Sequence, residues 1–244
     1  MEPGHFLRCL DGKVARDTVW LFDLDNTLHD ATHAAMPGIN AGMTDYIVEF
    51  LGVDRDAADA LRRQYWRRYG ATLLGLVRHH GVRPSHFLQH THRLPGLEER
   101  LRGHPHDFSA LRRLPGRKLV LTNAPRSYAE RVLSALGIEG CFDGVLSIED
   151  MRMFGQLRPK PDVRMFRRLV ASLRVQAARC VLVEDTLEHQ KAACRVGLRT
   201  VWMQRWLRPR TAGAARRDLA RCPAYVDRRV RRLGELLRTT LARR

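Results

Sequence analysis

Three short apolar runs, beginning at Val19, Leu119 and Val181, stand out because each stops abruptly at polar residues: Asp23, Thr122-Asn123 and Glu184-Asp185. Continuous apolar runs of three or four residues, bounded in this way, predict strands buried on both faces, as in a parallel sheet. After Leu28 the pattern changes to helical spacing and keeps it to about Leu114. Ile39, Met43, Ile47 and Phe50 recur on one face, and residues 54–69 place Ala58, Leu61 and Tyr65 together before Gly70 closes the helix. Ser85 is predicted to start another helix, and Asp107 to cap the one leading to Leu114. Strands at 118–122, 145–148, 181–184 and 200–203 then alternate with helices at 128–136, 163–173 and 187–196. Such alternation predicts an α/β fold, a doubly wound parallel sheet of Rossmann-like type carrying an inserted all-helical cap. The predicted division is a discontinuous core, 17–29 with 115–204, a cap at 30–114, and a basic C-terminal segment at 205–244. Within that segment 205–217 reads as a flexible linker, and Tyr225-Val226 as a short last strand of the core.

Length and composition narrow this without changing it. A chain of 244 residues buries enough apolar surface to fold without staples. Cys9, Cys141, Cys180, Cys194 and Cys222 are odd in number and widely spaced, which predicts reduced thiols in a cytoplasmic protein. No apolar h-region appears before Arg16 and no window approaches the length of a membrane span, so secretion and membrane insertion are not expected. The formal net charge of +17 is high enough to raise nucleic-acid binding. Yet the basic residues are spread along the chain and are nearly all arginine, with lysine only at 13, 118, 160 and 191, a skew that reads as composition. Arginine pairs at 216–217, 228–229, 231–232 and 243–244 make the C-terminal segment the densest part, a solvated helix face or, less favoured, a polyanion contact.

The strand ends carry the candidate chemistry. Alternate residues of a strand point the same way, so Asp23 and Asp25 leave the first strand together at the end where open α/β sheets bind ligands. Thr122 and Asn123 end the second strand with a hydroxyl and an amide, and Lys160 lies between Pro159 and Pro161 in the stretch Arg158-Pro159-Lys160-Pro161-Asp162. Each feature alone has a plain structural reading: a helix cap for the acids and a rigid surface turn for Pro-Lys-Pro.

Together and in this order, Asp-x-Asp-x-Thr, Thr-Asn, Lys-Pro and Glu-Asp after successive strands resemble the haloacid dehalogenase-like phosphohydrolase superfamily. The resemblance implies a magnesium-dependent phosphomonoesterase. In it Asp23 is the nucleophile that forms an aspartyl-phosphate, and Asp25 is the acid and then the base. Thr122, Asn123 and Lys160 stabilise the transferring group. Magnesium would be held by Asp23, the carbonyl of Asp25 and Asp185, with Glu184 acting through water. Dehalogenases of this superfamily lack the second carboxylate, so Asp25 favours phosphate chemistry.

A finer resemblance lies in the cap, where Tyr65 through Leu76 is similar to the Tyr-Gly-Thr-Thr-Leu-x-Gly-Leu segment of bacterial pyrimidine 5'-nucleotidases. Thr122-Asn123-Ala124-Pro125 and Gly140-Cys141-Phe142-Asp143-Gly144 agree with it. The implied partner is a small phosphorylated metabolite, a nucleotide, with Tyr65 or Tyr69 stacking on the base and Arg68 at its polar edge; a tyrosine stripe at helical spacing is also ordinary cap core. Departures are Thr186, His189 and Gln190 after the third strand, Ala71 in the cap segment and Ala124. His79-His80, His90 with His92, and His104 with His106 lack the context of a zinc site and read as surface histidines. His29 and His33 follow the aspartates and are candidates to meet a phosphate or ribose. The competing readings are a phosphatase of the same fold with a sugar phosphate or other small substrate, and a basic nucleic-acid-binding protein with reduced catalysis.

Overall fold

The computed structural model describes residues 18–207 and 222–238. The arginine pairs at 216–217 and 243–244, Cys9 and residues 208–217 of the expected linker lie outside the described residues. Six parallel strands form one sheet: β1 (Val19–Phe22), β2 (Arg117–Leu121), β3 (Gly144–Leu146), β6 (Cys180–Glu184), β7 (Arg199–Met203) and β8 (Arg228–Val230). Their spatial order is β3-β2-β1-β6-β7-β8, and β4 (Arg152–Met153) and β5 (Gln156–Leu157) form a separate antiparallel hairpin. The order reverses between β1 and β6, which makes the crevice above their carboxyl ends the expected ligand site of a doubly wound sheet.

The apolar runs follow from two-sided burial. Trp20 and Phe22 of β1 and Val181 and Val183 of β6 enter one cluster, with α8 (Arg126–Ala135) and α7 (Pro105–Arg113). Val19, Leu21, Cys180 and Leu182 enter the other, under α9 (Val163–Leu173) and α10 (Leu187–Cys194). Each strand therefore has no solvent face, and only its ends can carry polar chemistry.

Seven helices lie between β1 and β2: α1 (Ala31–Ala34), α2 (Met36–Leu51), α3 (Arg55–Tyr69), α4 (Thr72–His80), α5 (Pro84–Thr91), α6 (Leu97–Arg100) and α7. Asp54 caps α3 by accepting from the Ala57 N–H, and Gly70 ends it in the left-handed region. Helices α2 to α5 share their own apolar cluster of Tyr46, Ile47, Ala58, Tyr65, Leu73, Leu76, Phe87 and Leu88. By contrast, Ala110 and Leu111 of α7 pack into the main core beside the sheet.

Three local expectations are corrected. Helix α5 begins at Pro84, whose fixed φ suits the first turn, and Ser85 lies inside it. Asp107 is not a cap: His104 occupies that position, and the buried Asp107 carboxylate accepts from the Leu233 N–H at 2.8 Å and pairs with Arg205 at 2.8 Å. The last strand is Arg228–Val230 rather than Tyr225-Val226, paired in parallel with β7 from Val201↔Arg228 onward. Residues 222–238 thus complete the sheet, and Val230, Leu233 and Leu236 are buried in the main core. Among the described residues no helix is long and apolar enough to cross a membrane.

Candidate active site

The end of β1 passes into a tight loop in which Thr27 and Leu28 both donate to the Leu24 carbonyl. Asn26 takes a left-handed φ of 57°, tolerable for asparagine, and its side chain accepts from Thr32. This turn separates the two aspartates by partner. Asp23 faces the end of β6, whereas Asp25 faces α8 and the floor of its own loop.

Lys160 organises the first half. It is 1% exposed, and its ammonium donates to Asp23 Oδ1 at 2.7 Å, Glu184 Oε2 at 2.7 Å and the Leu121 carbonyl at 2.8 Å. An ammonium has three donors, so all are committed and its influence on any further group is through its field. Burial works against the charge on Lys160, but Asp23 and Glu184 outweigh it and raise its pKa above the usual lysine range. The loop around it is braced by Asn123, whose Nδ2 donates to the Lys160 carbonyl and whose Oδ1 accepts from the Lys160 N–H, both at 2.9 Å. The Asn123 side chain thus braces the Lys160 backbone through its oxygen and one of its two amide N–H groups. Thr122 is 1% exposed and accepts from the Ala124 N–H, which leaves its hydroxyl proton to be donated.

Oxygens of Asp23, Glu184 and Asp185 all lie within 4.8 Å of one another. Burial raises the Asp23 pKa, and the neighbouring Glu184 raises it further. Asp185 is likewise pushed well up by burial and by Glu184 and Asp23. Glu184 moves the other way: burial would raise it, but Lys160 and then His189, whose Nδ1 lies 3.0 Å from Oε2, hold its carboxyl low. Three converging carboxylates, two of them with raised pKa, are a donor set that suits a hard divalent cation. Lys160 takes one oxygen of Asp23 and one of Glu184, and the other Glu184 oxygen, Oε1, accepts from the Thr186 N–H at 3.2 Å, so Asp23, through Oδ2, and Asp185 are the carboxylates with most oxygen left for such an ion.

Asp25 has partners that the sequence did not reveal. Tyr128 of α8 donates to its Oδ1 at 2.7 Å, and His29 Nε2 lies 3.1 Å from the same oxygen. Burial opposes its charge, but the His29 contact and then Tyr128 hold its pKa below the usual carboxylate range. His29 is 0% exposed, so it does not meet a substrate; its ring supports Asp25 from below. Its four-residue spacing from Asp25 was the available signal, whereas Tyr128 lies 103 residues away with none.

The tyrosines expected at a base are placed differently. Tyr65 is 7% exposed inside the cluster of α2 to α5, with its hydroxyl against His80 at 2.8 Å, so it is cap core and not a stacking surface. Tyr69 bonds His79 at 2.6 Å and lies under the Arg68 guanidinium, 5.4 Å from the ring centroid. The next residue, Gly70, brings the inserted helices to the core: a Cβ there would lie 3.3 Å from Cδ of Pro161, the neighbour of Lys160.

With this geometry in place the comparisons with known proteins are specific. The haloacid dehalogenase-like hydrolase family matches residues 19–197, and the chain belongs to that family of hydrolases. Phosphate metabolism protein 8 of Saccharomyces cerevisiae is 24% identical over 193 residues, 74% of this chain; the chain spans 59% of that relative's length. Among solved structures, a haloacid dehalogenase-type phosphatase from Thermococcus onnurineus superposes with a TM-score of 0.59 at 20% identity, over 91% of this chain and 96% of that one. The L-2-haloacid dehalogenase of Xanthobacter autotrophicus does so with a TM-score of 0.54 at 17% identity, over 91% and 97%. The fold therefore accommodates both chemistries, and the side chains at the strand ends must discriminate.

Proposed function

We propose that this hydrolase is a magnesium-dependent phosphomonoesterase that works through an aspartyl-phosphate and acts on pyrimidine nucleoside 5'-monophosphates. The observation that carries the reading is Asp25, a second carboxylate held by Tyr128 and His29 beside the Asp23 cluster. A haloacid substrate needs no acid for its halide, whereas a phosphate monoester has a poor alkoxide leaving group. The yeast relative's name, with its reference to phosphate metabolism, agrees. Residues 17–29 and 115–204 form the catalytic core in this proposal, and helices within 30–114 act as its cap.

Asp23 attacks phosphorus, the bond to the leaving oxygen breaks, and that oxygen takes the proton of Asp25. In the second step Asp25 accepts a proton from water as the water oxygen attacks phosphorus, and the bond to Asp23 breaks to release inorganic phosphate. At rest Tyr128 and His29 hold Asp25 as carboxylate, the form the second step needs. An arriving phosphate dianion makes that charge less favourable and promotes the proton needed first. Thr122 donates to a phosphoryl oxygen, Lys160 supplies positive field, and Asn123 fixes the lysine loop. Asp23 and Asp185 would hold magnesium, which would supply charge neutralisation at the phosphoryl group.

The nucleotide assignment draws on the cap resemblance, with Tyr69 and Arg68 remaining beside the Gly70 junction. Phosphate release from pyrimidine and purine 5'-monophosphates, sugar phosphates and an aryl phosphate, with magnesium or with chelator, tests the proposal alongside Asp23→Asn. Magnesium-dependent turnover that favours pyrimidine nucleotides and disappears in the variant is expected. Turnover of the aryl ester alone removes the nucleotide, and turnover by Asp23→Asn equal to wild type removes the mechanism.

A further inference from the structure

The hairpin of β4 and β5 turns through Phe154 and Gly155, and both take a left-handed φ, 50° and 77°. Such a two-residue turn is normally built from asparagine and glycine, because a bulky side chain is strained there. Phe154 is also 99% exposed, so its ring gains nothing from the fold. The stem beneath it is fixed at both ends: Met151 is buried in the second core cluster, and Leu157 packs against the cap cluster of Tyr46 and Tyr65. A strained, solvent-facing aromatic on a fixed stem costs stability, and a binding role accounts for it.

The surface next to the hairpin is cationic. The Arg168 guanidinium donates to the Arg152 carbonyl, which sets β4 against α9. Met165, Phe166, Leu169 and Leu173 form the buried face of α9. Arg164, Arg167 and Arg168 are exposed on the opposite face, at the three- and four-residue spacing that makes neighbours on a helix surface. Asp150 and Asp162, the acids adjoining this surface in sequence, are paired with Arg126 at 2.6 Å and Arg158 at 3.0 Å. Among the described residues none of Arg152, Arg164, Arg167 and Arg168 pairs with a carboxylate. Arginine is frequent throughout the chain, so the row of charges by itself carries nothing; Phe154 beside it is the independent observation.

An aromatic ring with free faces beside a row of unpaired cations is an arrangement that suits single-stranded nucleic acid, with a base on the ring and phosphates along the arginines. A duplex offers no free base face. An anionic bilayer needs more apolar surface than one ring, and the other exposed large apolar side chains, Phe50 and Trp66, belong to α2 and α3 of the cap. We infer that Phe154 and the outer face of α9 form a binding surface for single-stranded nucleic acid, a contact that uses no residue of the catalytic centre or of the C-terminal segment.

Fluorescence anisotropy of a 3'-labelled oligothymidylate with a 5'-hydroxyl tests this on the full chain in chelator, because such an oligomer offers the catalytic centre no phosphate monoester. Phe154→Asn removes the ring and suits the left-handed position, so it should melt at or above the wild-type temperature while weakening binding by roughly 5- to 100-fold, the worth of one stacked base. Phe154→Trp, which keeps a ring to stack on, should hold the affinity. Each phosphate neutralised on a single strand adds about 0.7 to the salt slope, so Arg164→Gln, Arg167→Gln and Arg168→Gln combined should flatten log Kd against log salt by about 2. Unlabelled duplex of the same length and phosphatidylglycerol vesicles should compete poorly. Absence of binding by wild type, affinity unchanged in Phe154→Asn, or a salt slope unchanged in the triple variant overturns the inference. So does competition by duplex or vesicles equal to that of the single strand, which would give the surface to a different polyanion.

Discussion

Replacing Lys160 by methionine keeps most of the buried stem and removes the ammonium that joins Asp23, Glu184 and the Leu121 carbonyl. Removing one partner of a buried ion pair costs about 3–5 kcal/mol, because the other charge stays buried without compensation. The geometry allows a tighter figure. Asp23 already has a raised pKa, so the charge newly stranded is that of Glu184, which Lys160 and His189 hold low. Glu184 escapes by taking a proton, which at pH 7 costs about 4 kcal/mol for a reference pKa near 4.3, and this sets a ceiling. At pH 5 the same protonation costs only about 1 kcal/mol. Urea unfolding of the metal-free protein should therefore show Lys160→Met destabilised by about 3–4 kcal/mol at pH 7, shrinking to about 1 kcal/mol at pH 5. The sign follows from linkage in the variant: wild type carries Glu184 as carboxylate in both the folded and the unfolded state from pH 5 to 7, whereas the variant's folded Glu184 keeps a proton that the unfolded chain has lost, so the variant loses stability as pH rises through this window. A loss below about 1 kcal/mol at pH 7, or one of equal size at both pH values, refutes a buried carboxylate charge held by Lys160.

The raised carboxylates give the opposite pH dependence. Asp185 keeps its proton in the folded chain at pH values where the unfolded chain has lost it, so its share of stability is full below about pH 4 and declines as pH rises towards the folded value. Metal-free wild type should show this decline in thermal melts relative to Asp185→Asn, and magnesium should flatten it; identical pH profiles for the two proteins would contradict the assignment. Gly75→Ala tests the placement of Tyr65, because a Cβ there would lie 2.2 Å from Cγ of that ring. Overpacking of about 1–3 kcal/mol should outweigh the roughly 1 kcal/mol gain in helix propensity and lower Tm by several degrees, whereas an unchanged or raised Tm would move Tyr65 out of the cap core.

What the sequence made legible followed from two-sided burial. Runs such as Val19–Phe22 admit no polar residue until the strand leaves the core, so the acids at Asp23 and Glu184 mark strand ends without ambiguity. The arrangement around them was less legible. Nothing local to Asp25 points to Tyr128, and nothing local to Asn123 shows that its amide turns to the Lys160 backbone, 37 residues on. Asp107 was misread because a carboxylate near a helix start satisfies the capping rule, while Pro105 had already fixed the start two residues earlier in the chain. The last strand was misplaced because β8 carries arginines and only Val230 is buried, so it lacks the apolar run that identifies interior strands. Tyr65 had the right helix and the right face; helical spacing cannot tell a core stripe from a ligand stripe, and the missing side chain of Gly75 was what made room for it.

The Asp107 carboxylate also bears on the order in which the molecule is made. It is buried in α7, and both its partners, Arg205 and the Leu233 N–H, emerge from the ribosome long after it does. β1 waits in the same way for β6, which flanks it. Until the last stretch is synthesised the nascent chain carries an uncompensated acid and an open sheet edge, a template for pairing with other chains. Helices α2 to α5, whose contacts are local, are free to settle early. Synthesis thus presents the cap first and the completed sheet last, and truncations near the C-terminal end should reduce soluble yield before they reveal anything about catalysis.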